Sequence, residues 1–151
     1  MNRIILLDSG PLGMITHPRK NAEIKFWLQS LLQSGTRVQV PEIADYEVRR
    51  ELLRVGKIKG LQRLDFIISE LGLVSINREV MLKAAELWAE SRQRGQPTAN
   101  NQALDADVIL AALAFSIINL GQNVVIATTN VRHLSRFVPA QMWNEINLRT
   151  Q

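Results

Sequence analysis

The chain has 151 residues, 46% of them hydrophobic and 21% charged, enough for a packed core and too apolar for a disordered chain. It has no cysteine and only two histidines, which excludes disulfides, thiolate zinc sites, cysteine nucleophiles and a histidine-built zinc centre. A formal net charge of +4 favours an anionic partner without naming one.

Ile4 to Leu7 is a short apolar run with β-branched residues, ended by Asp8-Ser9-Gly10-Pro11, the pattern of a buried parallel strand entering a turn. The run is too short for a secretion signal and ends in a charge. Asn21 to Leu32 carries apolar residues at helical spacing, and Ser34-Gly35 stops it. Arg37 to Val40 predicts a second strand, closed by Pro41. Ile43 to Val55 and Gly60 to Leu71 predict helices ended by Gly56 and Gly72. Leu73 to Ile76 predicts a third strand. Asn77 then caps a helix through about Arg94, with Val80, Met81, Ala84, Leu87 and Trp88 facing inward. A polar loop spans Gly95 to Asn101. A near-continuous apolar helix is expected from about Ala106 to Asn119, with Asp105 as its N-cap. Its most apolar part, Val108 to Ile118, is about half the roughly 20 residues a membrane helix requires. Asn123 to Ala127 predicts a fourth strand, followed by Thr128-Thr129-Asn130, and Met142 to Leu148 carries a weak helical signal.

Strands alternating with helices predict a three-layer, Rossmann-like α/β architecture: a central parallel sheet of about four to five strands, helices on both faces, and one domain over residues 1–151. A soluble, cytoplasmic protein without a membrane segment is expected.

In such sheets functional groups gather beyond the carboxyl ends of the strands, near the switch in strand order. The first strand delivers Asp8 and Ser9 there, and the fourth delivers Thr128, Thr129 and Asn130. Helices that start from the same edge add Glu47 and Asp107. Each acid also has an ordinary reading. Asp8 at a strand end serves as an N-cap or an Asx turn, and Glu47 belongs equally well to a salt-bridged surface helix. Asp107 is more unusual: the residues after it are almost all apolar, so its carboxylate needs a cation, a donor or a cleft. Asp105 sits two residues away and on a helix points to nearly the opposite side. Arg49, Arg50, Arg54, Lys57, Lys59 and Arg63 form a basic cluster, read either as a solvated face or as a phosphate-tracking surface. Aromatics are only 5% of the chain, which argues against a broad base-stacking platform.

Asp8 at a strand end, Tyr46-Glu47-Val48-Arg49-Arg50-Glu51-Leu52, Asp107 followed by Val108-Ile109-Leu110-Ala111-Ala112, and Thr128-Thr129-Asn130-Val131-Arg132-His133-Leu134 stand in the order and spacing of the PIN domain. The chain resembles that family over nearly its whole length, and within it VapC-type toxins of bacterial toxin–antitoxin pairs and their stand-alone relatives. The resemblance implies a PIN-like fold and a Mg²⁺- or Mn²⁺-dependent endoribonuclease. Asp8, Glu47 and Asp107 match the family's first three acids, and Ser9 and Thr128 become supporting residues. The fourth position departs from the family's Thr-x-Asn-x-x-Asp-Phe or Thr-x-Asp pattern: either Asn130 or His133 stands where an acid is expected. One negative charge is missing, so one metal is expected rather than two, with Asp105 and Asn130 as secondary ligand candidates. Arg49, Arg50 and Arg54 are the candidate RNA contacts. The implied partners are an RNA substrate, a cognate antitoxin and a second copy in a homodimer. An antitoxin helix has a candidate seat around Trp27, Leu28 and Leu31, unless these fill the core. Trp143 and Ile146 pack either on the domain or on a second subunit.

Other readings are weaker. A haloacid dehalogenase-type phosphatase needs a second Asp where Gly10 stands, and a receiver domain needs an acidic pair before the first helix. A PIN fold that binds RNA or protein without cutting is the remaining alternative, supported by the missing fourth acid.

Overall fold

The computed structural model describes residues 3–95 and 101–147. Its centre is a five-stranded, all-parallel sheet in the order β3-β2-β1-β4-β5. The strands are β1 (Arg3–Leu7), β2 (Arg37–Pro41), β3 (Leu73–Val74), β4 (Asn123–Thr128) and β5 (Ala140–Met142). The chain winds outward on one side through β2 and β3, then returns to lay β4 and β5 on the other side of β1. The switch in strand order therefore falls between β1 and β4, whose register pairs Leu7 with Ala127. Asp8 and Thr128, one residue further on each strand, leave the sheet side by side.

Alternation along the strands divides the core. Ile4, Leu6, Val124 and Ile126 face α5 (Arg78–Gln93) and α6 (Asn101–Ile118). Ile5, Leu7, Val38, Val40, Val125 and Ala127 face α1 (Ser9–Thr16), α2 (Ala22–Gln33), α3 (Glu42–Arg54) and α4 (Ile58–Leu71). With both faces covered, the central strands read as continuous apolar runs, as the sequence shows. In α6, Val108 and Leu110 through Ala114 are all buried, so this helix has little solvent face. Among the described residues no helix is long and apolar enough to cross a membrane.

Several local expectations need correction. Asp8-Ser9-Gly10-Pro11 opens an eight-residue helix rather than a turn. Pro11 falls in its first turn, where a backbone N–H has no helical partner to lose, so proline is tolerated. Asp105 is not an N-cap: α6 begins at Asn101, and Asp105 is an exposed residue of the helix. The last segment forms β5 and a 3₁₀ turn at Trp143–Glu145 instead of an α-helix. Ala140 to Met142 pairs with β4 at the head of this segment, and the buried Trp143 and Ile146 then anchor the short turn on the core. Met81 and Trp88 are not inward; both are more than a third exposed on α5. Leu28 and Leu31 are buried, and Trp27 donates its indole N–H to the Ile146 carbonyl at 2.9 Å and packs edge-on against Trp143. Trp27 thus ties α2 to the C-terminal segment, while Leu28 lines a cavity between α2 and α4 together with Leu32, Phe66 and Ile67. Trp143 and Ile146 are buried in the same core cluster. The predicted cap does form at Asn77, whose side chain accepts from the Val80 N–H at 2.9 Å. Most of the predicted polar loop, residues 96–100, lies outside the described residues.

Candidate metal centre at the sheet edge

Asp8 is placed by covalent position and then oriented by two donors. Its backbone N–H continues the ladder to the Ala127 carbonyl at 2.9 Å, which extends the β1–β4 pairing by one bond. One carboxylate oxygen accepts from the Ser9 N–H at 2.7 Å, capping α1. The other accepts from the Thr128 hydroxyl at 2.7 Å, and that same hydroxyl accepts from the Asn130 N–H at 2.9 Å. Thr128 is fully buried. Such a hydroxyl without partners would cost about 1–3 kcal/mol, and here both its donor and its acceptor capacity are used. The supporting residues expected from sequence thus hold Asp8 in place.

Glycine at position 10 has a steric reason. A Cβ there would stand 2.6 Å from the Thr129 hydroxyl oxygen, so a glycine lets α1 start against the end of β4 with the Thr129 side chain as it stands. This close approach brings the first turn of α1 and the residues after β4 into one crevice.

Glu47 reaches the crevice from the middle of α3, half-buried, with Arg50 at 4.0 Å. Asp107 reaches it from α6, with its side chain 19% exposed. The three carboxylates feel one another. Burial and then the charges of Asp8 and Glu47 push Asp107 up to about 7, against a smaller lowering by Arg136. Burial and then the Asp8 charge raise Glu47, with Arg50 and a hydrogen bond from Ser9 opposing. Burial raises Asp8, opposed by its hydrogen bonds from Thr128 and Ser9. In each case the charged form is held at a cost that a nearby cation would remove.

The fit to a hard divalent ion follows from this chemistry. All three groups are carboxylates, the donor type that Mg²⁺ and Mn²⁺ prefer. Asp107 Oδ2 is buried with no hydrogen-bond partner among the described residues, which is unusual for a carboxylate oxygen. As placed, however, no three acidic or histidine side chains among the described residues stand close enough to form a ready-made cage. The donor set fits an ion, and the side chains must draw inward to ligate one.

The fourth corner differs from the other three. Asn130 is exposed, and its side-chain amide lies 2.9 Å from Nδ1 of His133. His133 Nδ1 in turn is 3.9 Å from Asp107 Oδ2, too long for a hydrogen bond. Asp105 is not brought into this group. It lines a separate cavity between α5 and α6 with Met81 and Trp88, the opposite side that its spacing from Asp107 predicts.

The basic cluster is sorted by the fold. Arg49 is clamped between Asp45 at 2.9 Å and Asp65 at 2.7 Å, and Arg54 is paired with Glu51 at 2.7 Å. Arg50 lies over the Tyr46 ring at 5.0 Å and stays at the rim of the crevice. Arg63 turns toward α1, with a guanidinium nitrogen 3.5 Å from the Ile15 carbonyl. Arg136, whose charge acts on Asp107, was not singled out by the sequence; it follows a four-residue helix, α7 (Val131–Leu134), and its only signal is nearness to the fourth motif.

No family model matches the sequence, and no curated protein is similar to it. Solved structures do match. A chain of VapBC2 from Rickettsia felis, in a crystal structure with a DNA fragment from the promoter, aligns with a TM-score of 0.71 at 18% identity. The match covers 93% of this chain and 98% of that one. VapBC-1 from nontypeable Haemophilus influenzae gives 0.68 at 18% identity, over 94% of this chain and 99% of that one. FitAcB from Neisseria gonorrhoeae gives 0.63 at 19% identity, over 94% and 99%. The chain has the PIN fold. The PIN fold was expected from the motif order, and the five parallel strands realise it. In this PIN fold the three carboxylates come from β1, α3 and α6, which are separated by dozens of residues in sequence and share only the sheet edge.

Proposed function

We propose that the chain is a divalent-metal-dependent endoribonuclease that hydrolyses RNA phosphodiesters at the acidic edge and acts as the toxin of a toxin–antitoxin pair. The observation that carries this reading is the meeting of three mutually repelling carboxylates at the switch point of a PIN fold, one of them with a buried, unpartnered oxygen. Asp8, Asp107 and Glu47 would hold Mg²⁺ or Mn²⁺. When bound, such an ion lowers the pKa of an attacking water and neutralises phosphate oxygens.

The chain's own groups then have separable duties. The Ser9 N–H and the Thr128 hydroxyl fix the plane of Asp8, so its free lone pairs have one direction. Glu47 orients the attacking water from the face of α3. The water oxygen bonds to phosphorus as the opposite P–O bond to the ribose breaks; one water proton ends on the leaving ribose oxygen and the other goes to solvent. Asn130 lies at the phosphate side, and Arg50 at the rim. The expected protein partner is a cognate antitoxin, because the matched chains come from VapBC and FitAcB complexes. We place the protein in the cytoplasm, as a single domain that pairs as a homodimer.

Cleavage of labelled single-stranded RNA, titrated with Mn²⁺ and Mg²⁺, tests this reading. Metal-stimulated cleavage by the wild type and its loss in a folded Asp8→Asn variant are expected; equal cleavage by both proteins rejects the site. The Asn130–His133 pair supports a second reading, a PIN fold that binds RNA or protein without cutting. That reading predicts RNA binding with no metal-stimulated cleavage.

A further inference from the structure

The acidic crevice continues into a groove. A cavity of about 510 Å³ is lined at one end by Ser9, Glu47 and Arg50, and at the other by His17 and Lys57. A second cavity, of about 400 Å³, shares Gly13, Thr16, His17, Leu52 and Lys57 with the first and runs on to Arg19 and Lys59. The shared lining makes them one continuous depression, between α1 and the corner where α3 turns into α4. Leu52 packs so closely on Gly60 that a Cβ there would stand 2.8 Å from its methyl, so the corner is tight.

Charge changes sign along this groove. Glu47 and the Arg54-paired Glu51 line the end near the carboxylates, while no acid lines the second cavity. Arg19, Lys57 and Lys59 are exposed and have no carboxylate partner among the described residues, unlike Arg49 and Arg54. The turn after α1 is a built one. Nδ1 of His17 accepts from the Arg19 N–H at 3.2 Å and the Lys20 N–H at 3.1 Å, Asn21 donates to the Met14 carbonyl at 3.1 Å, and Lys25 donates to the His17 carbonyl. Since Nδ1 accepts, the proton of His17 is on Nε2, which makes that nitrogen a donor. Desolvation and then the charges of Lys20, Lys57, Lys25 and Arg19 lower the pKa of His17, evidence that four cations act on one place.

Neither cavity is lined by Phe, Tyr or Trp, so the groove offers no stacking platform beyond the imidazole of His17. An extended polyanion that is read through its backbone is the occupant this lining suits. We propose that the groove holds the phosphate backbone of single-stranded RNA, contacted by His17, Arg19, Lys57 and Lys59, and leads the strand to the carboxylates. The proposal rests on the nuclease reading for the identity of the strand, and it assigns that strand a route. Binding is expected to be tolerant of base sequence and sensitive to salt.

Anisotropy of a labelled single-stranded RNA oligomer in EDTA measures binding without cleavage, and the same proteins are assayed in Mn²⁺ for cleavage. The double variant Lys57→Gln, Lys59→Gln is expected to bind about tenfold more weakly, with a salt dependence shallower by about 1.4 in log–log slope. The control, Arg37→Gln with Lys83→Gln, removes the same charge from the far edge of the sheet and from α5, and is expected to stay within about twofold of wild type. Equal losses in the two double variants, or no loss in either, overturn the route. So does binding of duplex RNA or polyglutamate that equals the single strand and suffers the same loss. The two readings fail separately: a groove-dependent loss of binding without any cleavage rejects the nuclease alone, and cleavage with unaltered binding rejects the groove alone.

Discussion

The acidic crevice and the basic groove adjoin along α1 and α3, yet they keep like charges together by different means. In the crevice the charges are partly buried: burial raises all three carboxylates, Asp8 adds to the rise of Glu47, and both push Asp107 up to about 7. In the groove Arg19, Lys57 and Lys59 are exposed, so water screens them and little folding energy is at stake. Crowding inside a crevice gives affinity for one compact cation, whereas spreading along a surface gives affinity for an extended anion. A metal-dependent nuclease needs both, next to each other.

Breaking the crevice has the largest expected effect. Asp107→Asn removes the carboxylate with the unpartnered oxygen, and metal-stimulated cleavage should fall by ~100-fold or more. Stability should move the other way. The folded-state value of about 7 lies above the ordinary 3.8, so the native state binds the extra proton. The stability that this proton carries is complete below about pH 4 and is lost as pH rises through about 7. Urea unfolding between about pH 4 and pH 8 should show that decline in the wild type, amounting to a few kcal/mol at most, and a flatter profile in Asp107→Asn. A steeper profile in the variant would contradict the assignment of the shift. Added Mn²⁺ should raise the wild-type melting temperature most above neutral pH, where the carboxylates are ionised.

Gly10→Ala attacks the geometry instead of the charge. A Cβ at 2.6 Å from the Thr129 hydroxyl requires either that exposed side chain or the start of α1 to shift, and a loss of up to about 1–3 kcal/mol is expected in chemical denaturation, together with reduced cleavage. Thr128→Val keeps the volume and removes the donor to Asp8, at about 1–2 kcal/mol. Its fingerprint is a weaker Mn²⁺ response with an otherwise native circular dichroism spectrum. Arg54→Ala sharpens the contrast from the exposed side. Its pair with Glu51 is fully solvated, so no measurable change in melting temperature is expected.

Much of the frame was legible in the chain. The continuous apolar runs Ile4–Leu7 and Val124–Ala127 announce central parallel strands because both faces of such a sheet are covered. The Asn77 cap and the stop at Gly72 were legible because they depend on local backbone geometry, with φ at +92° for Gly72. The first helix was hidden because Gly10-Pro11 reads locally as a turn, and only the close approach to Thr129 explains the glycine. Met81 and Trp88 fit the inward period of α5 but lie at its margin beside α6, where packing ends. β5 went unread for want of any local signal that β4 had a free edge to fill, and a 3₁₀ turn stands within the segment that carried the weak helical signal.

The same division holds for the site. The sequence by itself determined which acids leave which elements, because a residue's place at a strand end or on a helix follows from periodicity and chain direction. It also determined that Asp105 and Asp107 face apart, since two residues on a helix differ by about 200°. Only the tertiary structure decided that Asp8 and Glu47 raise Asp107, that Thr128 holds Asp8, and that Arg49 and Arg54 are already paired while Lys57 and Lys59 are not. Charge is a property of residues, but its effect depends on distance and burial, and those exist only once the chain has closed on itself.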